Sequence, residues 1–235
     1  MKRMLPALIA ATVLSVLPHT ARAQGMGETS RKIAGGGVHA QGWMGRVDAQ
    51  EARRGNTVND AKFDKEGDGY HVTTGPATTY WNPANKASGD YTVSATFTEP
   101  KFMNLNDHPH PYGVFVAGND LGTDNGTLLY CEAYGNGTFI VRGFGPRPFQ
   151  LNGREGEANA AVHRAAGPGK PVTQDIAMRV QGGKVSCIID GAVVATYAAA
   201  QVVGPGKLKS LDGMYGIRFA HNTEGIVTNF KVTKP

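Results

Sequence analysis

The stretch "QDIAMRVQGGKVSCIIDGAVVATY", residues 174–197, reads as three β-strands joined by Gly182-Gly183 and Asp190-Gly191. Both dipeptides favour two-residue hairpin turns, whose central positions need a positive φ that most side chains resist. Working outward, the same period of two recurs. "YTVSATF" puts Tyr91, Val93, Ala95 and Phe97 on one face and Thr92, Ser94 and Thr96 on the other. "MYGIRFAHNTEGIVTNFKV" (214–232) reads as a further pair of strands around Thr223-Glu224-Gly225. From Trp43 onward about twelve short strands are expected. The best helical candidate, "EGEANAAVHRAA" (155–166), lies inside a long connection after Phe149. No sequence repeat of the period that builds propellers or solenoids is present. Many short antiparallel strands with little helix predict an all-β, antiparallel two-sheet sandwich or jelly roll over 43–235, with one outer face free to curve around a ligand.

The chain opens with Lys2 and Arg3, an apolar run from Leu5 to Leu17, and Ala21-Arg22-Ala23. A charged start, a short apolar stretch and an A-x-A site predict a Sec signal peptide over 1–23, and hence a bacterial periplasmic or extracellular product. The apolar run is short of the roughly 20 residues that span a bilayer, so no membrane attachment is expected after its removal. Three of the 24 Lys and Arg residues and none of the 19 acids lie in this segment, so its loss lowers the formal net charge from +5 to +2. No basic stripe for tracking phosphates remains, and no nucleic-acid partner is expected. Residues 24–42, with six glycines, read as a leader or linker. Cys131 and Cys187 lie in phase with apolar neighbours on their strands; they form a disulfide if those strands adjoin, and otherwise are two buried thiols.

Motifs narrow the chemistry. G-x-S-x-G, H-E-x-x-H, C-x-x-C, G-x-x-x-x-G-K-[ST] and a strand-linked G-x-G-x-x-G are all absent from the sequence. "DKEGDG" (64–69) has calcium-loop spacing at Asp64, Glu66 and Asp68, but Gly75 stands where an EF-hand loop needs a carboxylate, so a turn is expected. No cofactor is expected; calcium in the oxygen-rich "NDLGTDNGT" loop (119–127), around Asn119, Asp120 and Asp124, is the alternative to a tight turn. "NDHPHP" (106–111) sets His108 and His110 on one side of an extended chain. Two imidazoles need a third ligand, which His163 or His221 would have to bring from a distance, so a solvated Pro-rich loop without metal is expected.

In "LLYCEAYGNGTFIVRGFG" (128–145), alternation places Leu129, Cys131 and Ala133 on one face and Tyr130, Glu132 and Tyr134 on the other. Ile140 and Arg142 share a face of the next strand. A carboxylate between two aromatic rings, with an arginine one strand away, suits a sugar: rings stack on its C–H face and charges hydrogen-bond its hydroxyls. The same carboxylate becomes a general acid or base if burial raises its pKa. Glu132 is therefore the candidate catalytic residue, with ligand binding and plain strand polarity as the other readings. Tyr130, Tyr134 and Arg142 are candidate substrate-binding residues. His110, Asp120, His163 and His221 are added as candidates because loops on a rigid scaffold carry function.

The succession "AKFDKEGDGYHVTTGPATTYWNPANKASGDYTVSATF", "YGVFVAG", "LYCEAYGNG", "IAMRVQGGKVSCIIDGAVVATY" and "GMYGIRFAHNTEGIVTNFKV" resembles the strand order of concanavalin-like jelly rolls. More narrowly, residues 43–235 are similar to the 3-keto-disaccharide hydrolase domain family of exported bacterial proteins. The resemblance implies a sandwich fold, an oligosaccharide or glycoside as ligand, and cleavage or elimination at 3-keto-sugars. It pairs Glu132, by its facing, with the acid of the family's Y-E-V-Q strand, matched loosely by Tyr130-Cys131-Glu132-Ala133. The E-x-D-x-E glucanases fit less well, because Glu132-Ala133-Tyr134-Gly135-Asn136 lacks the later carboxylates. A sugar-binding or surface-interaction module without turnover is the alternative.

Overall fold

The computed structural model describes residues 29–153 and 155–235, so the signal-peptide reading of 1–23 lies outside it. Two antiparallel sheets form a sandwich. The first runs in the order β1 (Gly37–Val38), β3 (Lys62–Glu66), β4 (Gly69–Thr73), β16 (Glu224–Thr233), β6 (Tyr91–Glu99), β12 (Val172–Gln181), β13 (Lys184–Ile189) and β14 (Ala192–Ala198). The second runs β10 (Pro148–Gln150), β9 (Thr138–Phe144), β8 (Thr127–Tyr134), β7 (Tyr112–Asn119), β15 (Gly213–Phe219), β5 (Thr78–Ala87) and β2 (Met44–Val47), with β11 (Glu157–Ala158) also beside β9. These are called the β6 sheet and the β7 sheet. Among the described strands, only β1 pairs in parallel, with β3.

The hairpins from β12 to β14 form as the sequence predicts. Gly182 and Gly183 have φ of 55° and 72°, and Asp190 and Gly191 have φ of 46° and 81°, so both central positions of each turn are left-handed. Alternation likewise sets the facing of β6: Tyr91, Val93, Ala95 and Phe97 are buried, and the residues between them half-buried. Asp64, Glu66 and Asp68 belong to the β3–β4 hairpin.

Three expectations change. The described residues form sixteen strands rather than about twelve, the surplus including two- and three-residue edge pieces such as β1, β10 and β11 that carry no readable period. Residues 155–166 form no helix: β11 pairs with β9, Asn136 bridges Arg164, and Ala165 N–H donates to Gly135 O, so the segment is spent on the sheet edge. A short segment with one buried apolar residue, Val162, cannot offset the cost of helix nucleation. The described helices are α1 (Ala49–Arg53) and α2 (Ala199–Val202). Finally, β15 and β16 belong to opposite sheets, and the chain crosses between them at Ala220–Thr223, where Asn222 takes φ 49°. Of the segment read as a linker, Gly37–Val38 form β1 and Ala40 is buried in the core.

Cys131 on β8 and Cys187 on β13 are joined by a disulfide, with Cα atoms 5.7 Å apart. Their strands are not neighbours in one sheet; they face each other across the core. Packed sheets ordinarily lie about 10 Å apart, so the two layers pinch together here. Gln174 Nε2 donates to Tyr134 O in the same region, tying β12 to β8. Replacing both cysteines with alanine is expected to cost roughly 2–4 kcal/mol in denaturant unfolding, and thiol titration of the unreduced, denatured protein should find no free thiol.

Candidate functional site

Register places Glu132 in a row of residues running across the outer face of the β7 sheet. Ile140, Glu132, Gly113, Arg218, Thr79 and Arg46 lie opposite one another on β9, β8, β7, β15, β5 and β2. The adjacent row carries Arg142, Tyr130, Phe115, Gly216 and Trp81. Gly113 separates Glu132 from Arg218, and an added Cβ would lie 2.0 Å from Cys131 O. A side chain there would collide with the β8 backbone, and across this glycine Arg218 Nε is 3.4 Å from Glu132 Oε1.

Arg218 is only 4% exposed and Glu132 2%. The guanidinium is fixed by Asp48, with Nη1 donating to Oδ1 at 2.6 Å and Nη2 to Oδ2 at 2.7 Å, and by Nη1 donating to Thr79 Oγ1 at 3.0 Å. It lies over the Tyr130 and Phe144 rings, 4.8 and 4.9 Å from their centroids. Asp48 occupies the N-cap position of α1 but makes no capping hydrogen bond, because its carboxylate is turned to Arg218. Paired in this way, the guanidinium keeps its charge despite burial.

Glu132 has no such bidentate partner. Although Oε1 is within ion-pair distance of Arg218 Nε, neither atom has an aligned hydrogen bond. Burial is the largest influence and pushes the carboxyl up to about 8; Arg218 and, more weakly, Arg142 oppose it, while Asp48 reinforces it. The site thus pairs a carboxyl poised near neutrality with a permanent cation.

Tyr130, Glu132 and Tyr134 share one face, as the alternation predicts, and the register of β8 with β9, which sets Arg142 opposite Tyr130, adds Arg142 to it. Their environments differ: Tyr130 is 5% exposed with its ring against Arg218, whereas Tyr134 and Arg142 are half-buried. The loop between β7 and β8 folds back over this face, Leu121 packing beside Phe115 and Leu128 while Asp124 pairs with Arg46. Asp120, at the other end of β7, pairs with Lys209 and lies away from Glu132. His163 is also separated: its Nδ1 donates to Thr173 O at 2.8 Å on the outer side of the β6 sheet, 3.5 Å from Asp190. His110 and His221 do meet, stacked with centroids 4.1 Å apart, just beyond the ends of β7 and β15 nearest Glu132. Burial, then the neighbouring His221, holds His110 down at about 3, so that ring is neutral.

Asp48 and Arg218 escape sequence reasoning. Arg218 leaves one signal, a lone cation within the alternating apolar run "MYGIRF"; Asp48 leaves none, since 170 residues separate it from its partner.

Two outcomes follow from this geometry. Because the native state holds the Glu132 proton more tightly than the unfolded chain, the stability this gives is present at low pH and is lost as pH rises from about 4.5 through about 8. Glu132→Gln should flatten that fall, leaving the variant near the parent at pH 5 and more stable by on the order of 1–3 kcal/mol at pH 8 in urea melts; a residual slope belongs to Glu99, which burial raises to about 7. Arg218→Met should cost about 3–5 kcal/mol, and adding Asp48→Asn should restore part of it, because the single change strands the half-buried Asp48 carboxylate beside an apolar side chain.

The sequence matches no protein-family model and no curated protein. Among solved structures, the chain is similar to the carbohydrate binding module CBM66 from Bacillus subtilis, with TM-score 0.53, 9% identity, and coverage of 82% of this chain and 96% of that one. It is also similar to a Bacillus subtilis protein of unknown function with a galectin-like fold, with TM-score 0.51, 11% identity, and coverage of 82% and 89%. At these identities the likeness is one of fold, and it shows that the two-sheet sandwich described above is a jelly roll.

Proposed function

We propose that this chain is an exported, carbohydrate-active protein that hydrolyses or eliminates at a glycoside oxidised at C3, using the outer face of the β7 sheet. The observation that carries the reading is the juxtaposition of Glu132, raised to about 8, with a guanidinium 3.4 Å away that Asp48 holds in place. A keto group acidifies the C–H beside it. Removing that proton needs a base matched to neutral pH and a cation facing the carbonyl oxygen as charge develops there. Glu132 would take the proton, Arg218 would face the oxyanion, and expulsion of the glycosidic oxygen would form the C=C bond, with the proton passing to the departing alkoxide. Tyr134 and Arg142, half-exposed on the same face, would contact the sugar. The resemblance of residues 43–235 to 3-keto-disaccharide hydrolase domains and the likeness in fold to a carbohydrate binding module support the substrate class.

One observation favours a second reading, a sugar-binding module without turnover: the 2% exposure of Glu132 leaves Tyr134 and Arg142 as the more accessible groups beside it. Incubation with a panel of disaccharides and their 3-keto derivatives, read by mass, separates the two. A cleaved or dehydrated product is expected, with turnover reduced at least about 100-fold by Glu132→Gln. Absence of product from a folded sample, together with sugar binding weakened by Tyr134→Ala, would replace the enzyme with the module.

A further inference from the structure

We propose that His108, His110 and His221 form a binding site for a divalent transition-metal ion of the zinc class, at the end of the β7 sheet where the chain crosses to β16. The three rings each offer a nitrogen, and these nitrogens lie within 4.8 Å of one another. His110 immediately precedes the proline that leads into β7, and His221 follows β15; Ala220 N–H donates to Pro111 O, so the two histidines extend the β7–β15 ladder by facing positions. His108 comes from the preceding loop, two residues earlier, and its ring meets His110 edge-on with centroids 4.3 Å apart.

Hydrogen bonds fix which nitrogens are offered. His108 Nδ1 is 2.7 Å from Asp107 Oδ1, an acceptor, so Nδ1 carries the proton and Nε2 the lone pair. His110 Nδ1 closely approaches His221 O, also an acceptor, which sets the same tautomer. Asn106 Nδ2, 3.1 Å from His110 Nδ1, would favour the opposite one, but the carbonyl contact is the closer. The two Nε2 atoms then face each other across 2.8 Å, at hydrogen-bond distance, so a metal ion between them would take the place of one shared proton. Tetrahedral coordination at zinc–nitrogen distances of about 2.0–2.1 Å spaces ligand nitrogens by about 3.3 Å, so the His108 and His110 nitrogens must part slightly and the widest pair of the cluster must close, movement that the exposed His108 can supply.

The supporting groups are those of a built site. A carboxylate and a backbone carbonyl hold the outer nitrogens of two rings, the arrangement that orients metal-bound imidazoles. Asn222, 1% exposed, pins the crossing: its N–H donates to Gly75 O, its Oδ1 accepts from Arg31 N–H, and its Nδ2 donates to Thr29 O. Three imidazole nitrogens suit zinc, cobalt or nickel rather than calcium, and leave a fourth position for water or a ligand oxygen. Of the two distant histidines that could have completed the pair in "NDHPHP", the fold brings His221 and sends His163 to the other sheet.

The test is a titration of the purified, chelator-stripped protein, made without a polyhistidine tag, with cobalt(II) and then zinc(II). One cobalt per chain with the visible absorption of a tetrahedral site, displaced by zinc and not by calcium, is expected. His108→Ala, at an exposed loop position that does not threaten folding, should abolish the spectrum. Asp107→Asn, which keeps all three imidazoles, should weaken affinity about 10-fold or more. His163→Ala should change nothing. Absence of stoichiometric binding, or a spectrum that survives His108→Ala, would overturn the proposal.

Discussion

The buried guanidinium of Arg218 is the constraint around which the functional face is arranged. An unpaired charge at 4% exposure would cost several kcal/mol, so the fold must bring a counter-charge to it. Asp48 meets that need at the expense of its own helix cap, Thr79 takes a further proton, and the faces of Tyr130 and Phe144 attract the remaining charge. Gly113, where a Cβ would collide with Cys131 O, lies between the guanidinium and Glu132 in the row. Five strands and the start of a helix are thereby committed to one charge. Glu132 receives only the part of its field that Asp48 does not cancel, and so burial wins and the carboxyl stays near neutrality.

A second organising feature is the passage from β15 to β16. β15 lies between β7 and β5, so its end delivers His221 beside His110; β16 must begin in the other sheet, between β4 and β6. The crossing is closed by Asn222 and by Thr74, whose N–H donates to Thr223 O while its hydroxyl donates to Ala220 O. Side chains at such a junction are held by both layers, which makes it a more precise platform than a hairpin tip. Arg218 and His221 are three residues apart on the same chain segment, so the charged row and the histidine cluster are separated by about 10 Å along β15.

Period-two alternation carried much of this architecture into the sequence. It is a local property, and it decided the β12–β14 hairpins, the buried face of β6 and the common facing of Tyr130, Glu132 and Tyr134 without any knowledge of partners. It could not decide which strands pair. "MYGIRFAHNTEGIVTNFKV" reads as a pair of strands whether its halves lie in one sheet or two, and the Cys131–Cys187 bridge likewise depends on layers, which no period reports.

The sequence by itself determined the all-β class, the two turns between β12 and β14 and the candidacy of Glu132, because backbone φ preferences and alternate burial act over a few residues. Tertiary structure alone decided that Glu132 faces Arg218 across Gly113, that Asp48 from 170 residues away neutralises that cation, that Asp120 and His163 lie elsewhere, and that His221 joins His108 and His110. Charge pairing and ligand convergence act through space, and the distances they need are set only when the sheets have paired and packed.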